Sequence, residues 1–274
     1  MNKSKFRVIT STNESDIYRH FWPSMARNWS EWYGIDRVTC AFITHRSEDD
    51  PIVNDMRKYG EVVLYKPFDD EVSDSIQAKA TRMYHATLHP DDFCVIGDID
   101  MYILNRDETW LKWFSKVQDN KLLCVSSNVP YTGTDVGKFP MAFTTATGKI
   151  WNEIVNPKTL SYSNLFKDWY NLNIHDSKEK VNQPFSGFSD ESLLRALISR
   201  WENYNSKIAW QHPRVIGIER DDWHPDGFAK RRIDRLNWQI NNEQLNKGFY
   251  YDSQPVRPFN SKKVGAILKY LNIE

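Results

Sequence analysis

Four short apolar runs in the N-terminal third of the chain, FRVITST, DRVTCAFIT, EVVLY and FCVIG, alternate with stretches of helical pattern, and that alternation leaves few folds open. Between the third and fourth runs lie residues 71–88. There Ile76, Ala80, Met83 and Thr87 fall four, three and four apart, the spacing of one helix face. Strand, helix and strand in this order require a parallel sheet with crossover helices, because two parallel strands cannot be joined by a tight turn. In such sheets ligands bind beyond the carboxyl ends of the strands.

The first half is therefore expected to be Rossmann-like, in an α/β fold with a mixed, mostly parallel sheet flanked by helices. In the second half LLCVSSN, FPMAFTTA and RVIGI (Arg214–Ile218) read as strands. SDESLLRALISRW reads as a helix with Ser189 as N-cap and Leu194, Leu197, Ile198 and Trp201 on one face. The tail SKKVGAILKYLNIE reads as a terminal helix, and the loop-rich HDSKEKVNQPFSGFSD as a lid or binding loop. A length of 274 residues suits one domain, residues 1–274.

Lys plus Arg and Asp plus Glu each total 36, so no net charge draws the chain toward nucleic acid or an anionic membrane. AKRRIDR (Ala229–Arg235) is the one dense basic run, read as a solvated helix face. Cys40, Cys94 and Cys124 all lie in apolar runs, without a C-x-x-C pair, and read as reduced core residues. No leader or stretch of about 18 apolar residues is seen, so the expectation is a cytoplasmic protein without an integral membrane segment.

The fourth run continues as DDFCVIGDIDMYIL, in which two carboxylates, Asp98 and Asp100, interrupt apolar sequence. Two unpaired charges gripped by a core would cost several kcal/mol or more, so a cation is expected to neutralise them. Hard oxygen ligands suit Mg²⁺ or Mn²⁺, which take one or two protein carboxylates and complete their shell with phosphate oxygens and water. Asp-x-Asp at the end of the fourth strand thus predicts a metal–diphosphate site. His224 opens HPDGFAK, where a metal ligand, Gly227 and Lys230 follow at intervals of three. Gly227 permits close backbone approach, and Lys230 can reach phosphate oxygens. His85 and His89, four apart, read as helix surface, since Pro90 follows at once.

Three anchors in this order, RMYHATLHPDDFCVIGDIDMYIL (Arg82–Leu104), SDESLLRAL and HPDGFAK, resemble the GT-A class of nucleotide-sugar-dependent glycosyltransferases. The resemblance is nearest to the family that includes glycogenin and the bacterial galactosyltransferases. That family usually continues Pro-Trp after its lysine, where this chain has Arg231 and Arg232, and begins its helix Asp-Gln, where this chain has Asp190 and Glu191.

The resemblance implies a single GT-A domain with a nucleotide-binding half at about 1–105 and an acceptor-binding half at about 106–274. It implies that Asp98, Asp100 and His224 hold Mn²⁺ or Mg²⁺. Thr10, Ser11, Lys79, Arg82, Asp98, the intervening Ile99, Gly227 and Lys230 would bind the nucleotide sugar, a UDP- or GDP-sugar. Asp190 would sit beside the transferred sugar, with Asp190 or Glu191 as base if the reaction inverts. The resemblance favours retention. A glycan, a protein or a modified nucleobase would supply the acceptor hydroxyl. Two other readings stand beside this one. They are a haloacid-dehalogenase-like phosphotransferase, whose Asp-x-Asp follows the first strand, and a non-catalytic nucleotide-sugar-binding protein on the same fold.

Overall fold

The computed structural model describes residues 5–70, 72–125, 139, 141–170, 172, 190–210, 232–234, 243, 245, 252–254 and 262–273. Ten strands are described: β1 (Phe6–Thr12), β2 (Val38–Ile43), β3 (Glu61–Tyr65), β4 (Phe93–Ile96), β5 (Tyr102–Ile103), β6 (Leu122–Cys124), β7 (Thr144–Thr147), β8 (Ile208–Trp210), β9 (Arg232–Asp234) and β10 (Asp252–Gln254). The described helices are α1 (Asp16–Arg19), α2 (Trp22–Tyr33), α3 (Pro51–Met56), α4 (Asp74–Ala86), α5 (Arg106–Lys112), α6 (Gly148–Val155), α7 (Tyr162–Tyr170), α8 (Asp190–Arg200), α9 (Tyr204–Lys207) and α10 (Lys262–Leu271).

Seven strands form one sheet in the order β3-β2-β1-β4-β7-β6-β8. The first four are parallel, β7 runs antiparallel to both its neighbours, and β8 is parallel to β6. The sheet is thus mixed and mostly parallel, as expected. Every residue of β2 and of β4 is buried, the pattern of strands covered on both faces. One face packs on Trp22, Met25 and Trp29 of α2. The other packs on Met83 of α4, Trp151 of α6 and Leu194 of α8.

Local signals set the helix ends. The Asp50 carboxylate accepts from Ile52 N at 2.8 Å with Pro51 at the first helical position, which starts α3. At φ +98° Gly34 adopts a conformation open to few other residues, and there α2 stops. Cys40, Cys94 and Cys124 are free and buried. Among the described residues no helix is long and apolar enough to cross a membrane.

The run FPMAFTTA forms a strand only from Thr144, and RVIGI, Ser189 and the loop before it lie outside the described residues. A second sheet, β5-β10-β9, was not expected. It begins two residues after Asp100, and it draws the C-terminal region onto that turn. Tyr102 pairs with Ser253, and Val264 and Ile267 of α10 are buried in the same cluster as Met101 and Tyr102. From α2, Asn28 donates to Ile103 O at 2.9 Å and accepts from Ile103 N at 2.8 Å. Asn28→Ala leaves both backbone groups of Ile103 without that partner, and urea unfolding is expected to show a loss of about 2 kcal/mol.

Candidate functional site

The site lies where β4 leaves the sheet. Gly97 N donates to Ile9 O at 3.0 Å, and Met101 N donates to Asp98 O at 3.1 Å, so Asp98–Met101 is a closed turn between β4 and β5. Ile99 and Met101 are buried in the α2-side core and pin that turn. Its two carboxylates differ: the Asp98 side chain is 33 % exposed, whereas Asp100 is only 1 % exposed.

Arg82, on α4 and 4 % exposed, reaches this turn from below. Its Nη1 donates to Gly97 O at 2.8 Å and to Asp98 Oδ1 at 2.5 Å, and its Nη2 donates to Asp190 Oδ2. Asp190, itself buried, is the first residue of α8, so a carboxylate 108 positions away in the chain from Arg82 arrives at a helix N-terminus beside the turn. Burial alone would lower the Arg82 pKa, but Asp98 and Asp190 outweigh it and hold it above its usual value. One guanidinium therefore joins the strand mouth, α4 and α8.

The other expected residues are placed as follows. Thr10 is fully buried, and its Oγ1 has no hydrogen-bond partner among the described residues. Ser11, the next residue of β1, is half-buried. Lys79 is exposed on α4 and makes no ion pair among the described residues, and Glu191 is half-buried, its backbone oxygen accepting from Phe139 N. His224, Gly227 and Lys230 lie outside the described residues. The chain leaving that segment enters β9 at Arg232, two strand spacings from β5, or about 10 Å.

His85 and His89 need correction. His85 is 3 % exposed and His89 lies beyond the end of α4, half-buried. Neither belongs to an exposed helix face, because α4 is buried on nearly every side between the sheet and the α6–α8 layer.

Nothing in the sequence singled out a second polar group at the same rim of the sheet. Thr44, just past β2, donates to Glu14 Oε1, and Arg46 donates to Glu14 Oε2 at 3.1 Å and to Asp50 Oδ2 at 2.8 Å. The Thr44 hydrogen bond lowers the Glu14 pKa against the opposing effect of burial, and Arg46 lowers it further.

Mg²⁺ and Mn²⁺ usually take one or two protein carboxylates, so Asp98 and Asp100 on one turn are of a suitable type and number. Among the described residues no cluster of three or more His, Cys, Asp or Glu could hold a metal.

No family model and no curated protein matches the chain. Among solved structures it is similar to the glycosyltransferase GlyE of Streptococcus pneumoniae TIGR4, with 12 % identity and a TM-score of 0.50, over 98 % of this chain and 61 % of that one. It thus spans about three fifths of that protein's length. Two weaker likenesses carry no argument. One is to a protein described as a glucose-1-phosphate thymidylyltransferase from Bacillus anthracis, in complex with a sucrose (10 % identity, TM-score 0.41, 88 % of this chain and 99 % of that one). The other is to S. aureus TarS (11 % identity, TM-score 0.34, 89 % of this chain and 42 % of that one). The sheet order and the likeness to GlyE give this chain a mixed, mostly parallel α/β fold similar to that protein's.

Proposed function

We propose that the chain is a metal-dependent glycosyltransferase that moves a sugar from a UDP- or GDP-sugar to an acceptor hydroxyl, with retention at the sugar. The observation that carries this reading is the Arg82 guanidinium, which fixes Asp98 at the mouth of the sheet and Asp190 at the start of α8.

Asp98 and Asp100, with His224 as third ligand, would hold Mn²⁺ or Mg²⁺. When bound, the ion neutralises charge that gathers on the departing nucleoside diphosphate. Lys230 adds a second positive charge for the same phosphates, and Gly227 lets the backbone approach them. Ser11, half-buried near the end of β1, would meet the base or ribose, and the fully buried Thr10 beside it would support that strand end from within. Lys79 would serve the sugar or phosphate side.

Arg82 does not meet the substrate in this reading. It is a positioning residue whose Nη1 orients Asp98 and whose Nη2 orients Asp190 beside the sugar. Asp190 is a positioning carboxylate rather than a proton carrier, which favours retention, since retention needs no base on the acceptor. Glu191 is left as the candidate base for the inverting alternative. The acid pair follows β4, not the first strand, and this argues against the dehalogenase-like reading.

The test is release of nucleoside diphosphate from a panel of UDP- and GDP-sugars with Mn²⁺ or Mg²⁺. Turnover of one donor is expected, lowered about 100-fold or more by Asp98→Asn. Turnover that persists unchanged in EDTA, or hydrolysis of phosphate esters alone, would overturn the proposal. Metal-dependent binding without turnover would instead favour the non-catalytic reading.

A further inference from the structure

His85 and His89 face each other, their Nε2 atoms 3.2 Å apart and their ring centres 5.0 Å apart. The contact has the geometry of a bent hydrogen bond, and the two distances are also those of two rings that converge on one point. An imidazole nitrogen lies about 1.2 Å from its ring centre and about 2.0–2.1 Å from a zinc ion that it binds, so a shared ion would sit about 3.2 Å from each centre. Two rings aimed at one ion then have a nitrogen separation about 0.64 of their centre separation, whatever the angle at the ion. The observed ratio of 3.2 to 5.0 is 0.64. The corresponding angle at the ion is about 103°, close to tetrahedral. A straight N–H···N hydrogen bond of the same length would set the centres about 5.5 Å apart.

We propose that His85 and His89 form a site for a borderline transition-metal ion such as Zn²⁺, at the amino edge of the parallel strands, opposite Asp98. Its surroundings fit. The Tyr65 hydroxyl lies 2.7 Å from His85 Nδ1, so when Nε2 binds an ion, Nδ1 keeps its proton and donates to Tyr65, the outer hydrogen bond that orients metal-bound histidines. The nearby cations are already matched, Arg7 by Glu61 and Asp92 and Arg37 by Asp92.

With two imidazoles as ligands from the described residues, water or an outside ligand completes the shell, so the ion is exchangeable rather than structural. A bound ion would tie the last turn of α4 to the segment beyond it, three residues after Arg82. The proposal does not depend on the glycosyltransferase reading, because neither histidine belongs to that site.

The test is zinc titration of the full, chelator-stripped chain by calorimetry, with X-ray absorption of the zinc-loaded protein. One Zn²⁺ is expected per chain at this pair, with two imidazole nitrogens at about 2.0–2.1 Å. Affinity should fall at least about tenfold in His89→Ala and stay unchanged in Lys158→Ala, a surface change outside both proposed sites. Mg²⁺ should not compete, since hard cations prefer oxygen ligands. Equal affinity in His89→Ala, or an absorption spectrum with oxygen ligands alone, would overturn it. The spectrum needs no variant, so a folding defect in His89→Ala would not shelter the proposal.

Discussion

Arg82→Ala is expected to lower the unfolding free energy by about 3–5 kcal/mol, the usual result of removing one partner from a buried ion pair. The alanine leaves Gly97 O without its donor and two carboxylates, Asp98 and Asp190, without the cation between them. Arg82 is 4 % exposed, so solvent screens little of this. Arg82→Lys should rescue only part of the loss, because a single ammonium lacks the planar fork that serves three oxygens at once. Adding Asp190→Asn to Arg82→Ala should recover stability, since it removes one of the two uncompensated charges. Urea unfolding of the four proteins measures all of this. A loss below about 1 kcal/mol for Arg82→Ala would show that the guanidinium is not the link described here.

Gly148→Ala is expected to destabilise by about 3 kcal/mol, at the upper end of what overpacking does. A Cβ at this first residue of α6 would lie 2.1 Å from His89 O and 2.6 Å from Ala86 O. Both are backbone atoms, so no side-chain rotation relieves the clash. The start of α6 must instead lift off the segment between α4 and β4, with loss of the bond that Gly148 N donates to Asp92 O at 3.0 Å. The effect should appear as a lower urea midpoint with unchanged slope.

The parts of the fold that announced themselves were those with enough residues to show a period. FCVI is buried throughout because both sheet faces are covered, and the acid pair stands at its carboxyl end, as its apolar flanks implied. Likewise DESLLRALISR shows a helical apolar stripe, and it is α8. By contrast β5 has two residues and β9 and β10 three each, too few for any pattern, and the pairing of β5 with β10 joins positions about 150 apart in the chain.

The Arg82 link and the burial of His85 were hidden for another reason. A single apolar stripe implies a helix covered on one side, but α4 is covered on both, so polar residues off its stripe, Gln77, Thr81, Arg82 and His85, are buried as well. The partners of two of them come from chain far away, Asp190 for Arg82 and Tyr65 for His85. Spacing within one helix carries no trace of such partners.

The claim that a divalent ion at Asp98 and Asp100 serves a nucleoside diphosphate is tested most directly by thermal melting of the full chain with nucleoside diphosphates, with and without Mn²⁺. At a ligand concentration a hundredfold above Kd, binding to the folded state alone adds about 2.7 kcal/mol, or about 4–5 °C for a chain of this size. The account predicts such a rise for one base, seen only with Mn²⁺ or Mg²⁺ and lost in Asp100→Ala. An equal rise in EDTA, or one that Asp100→Ala leaves intact, would contradict it.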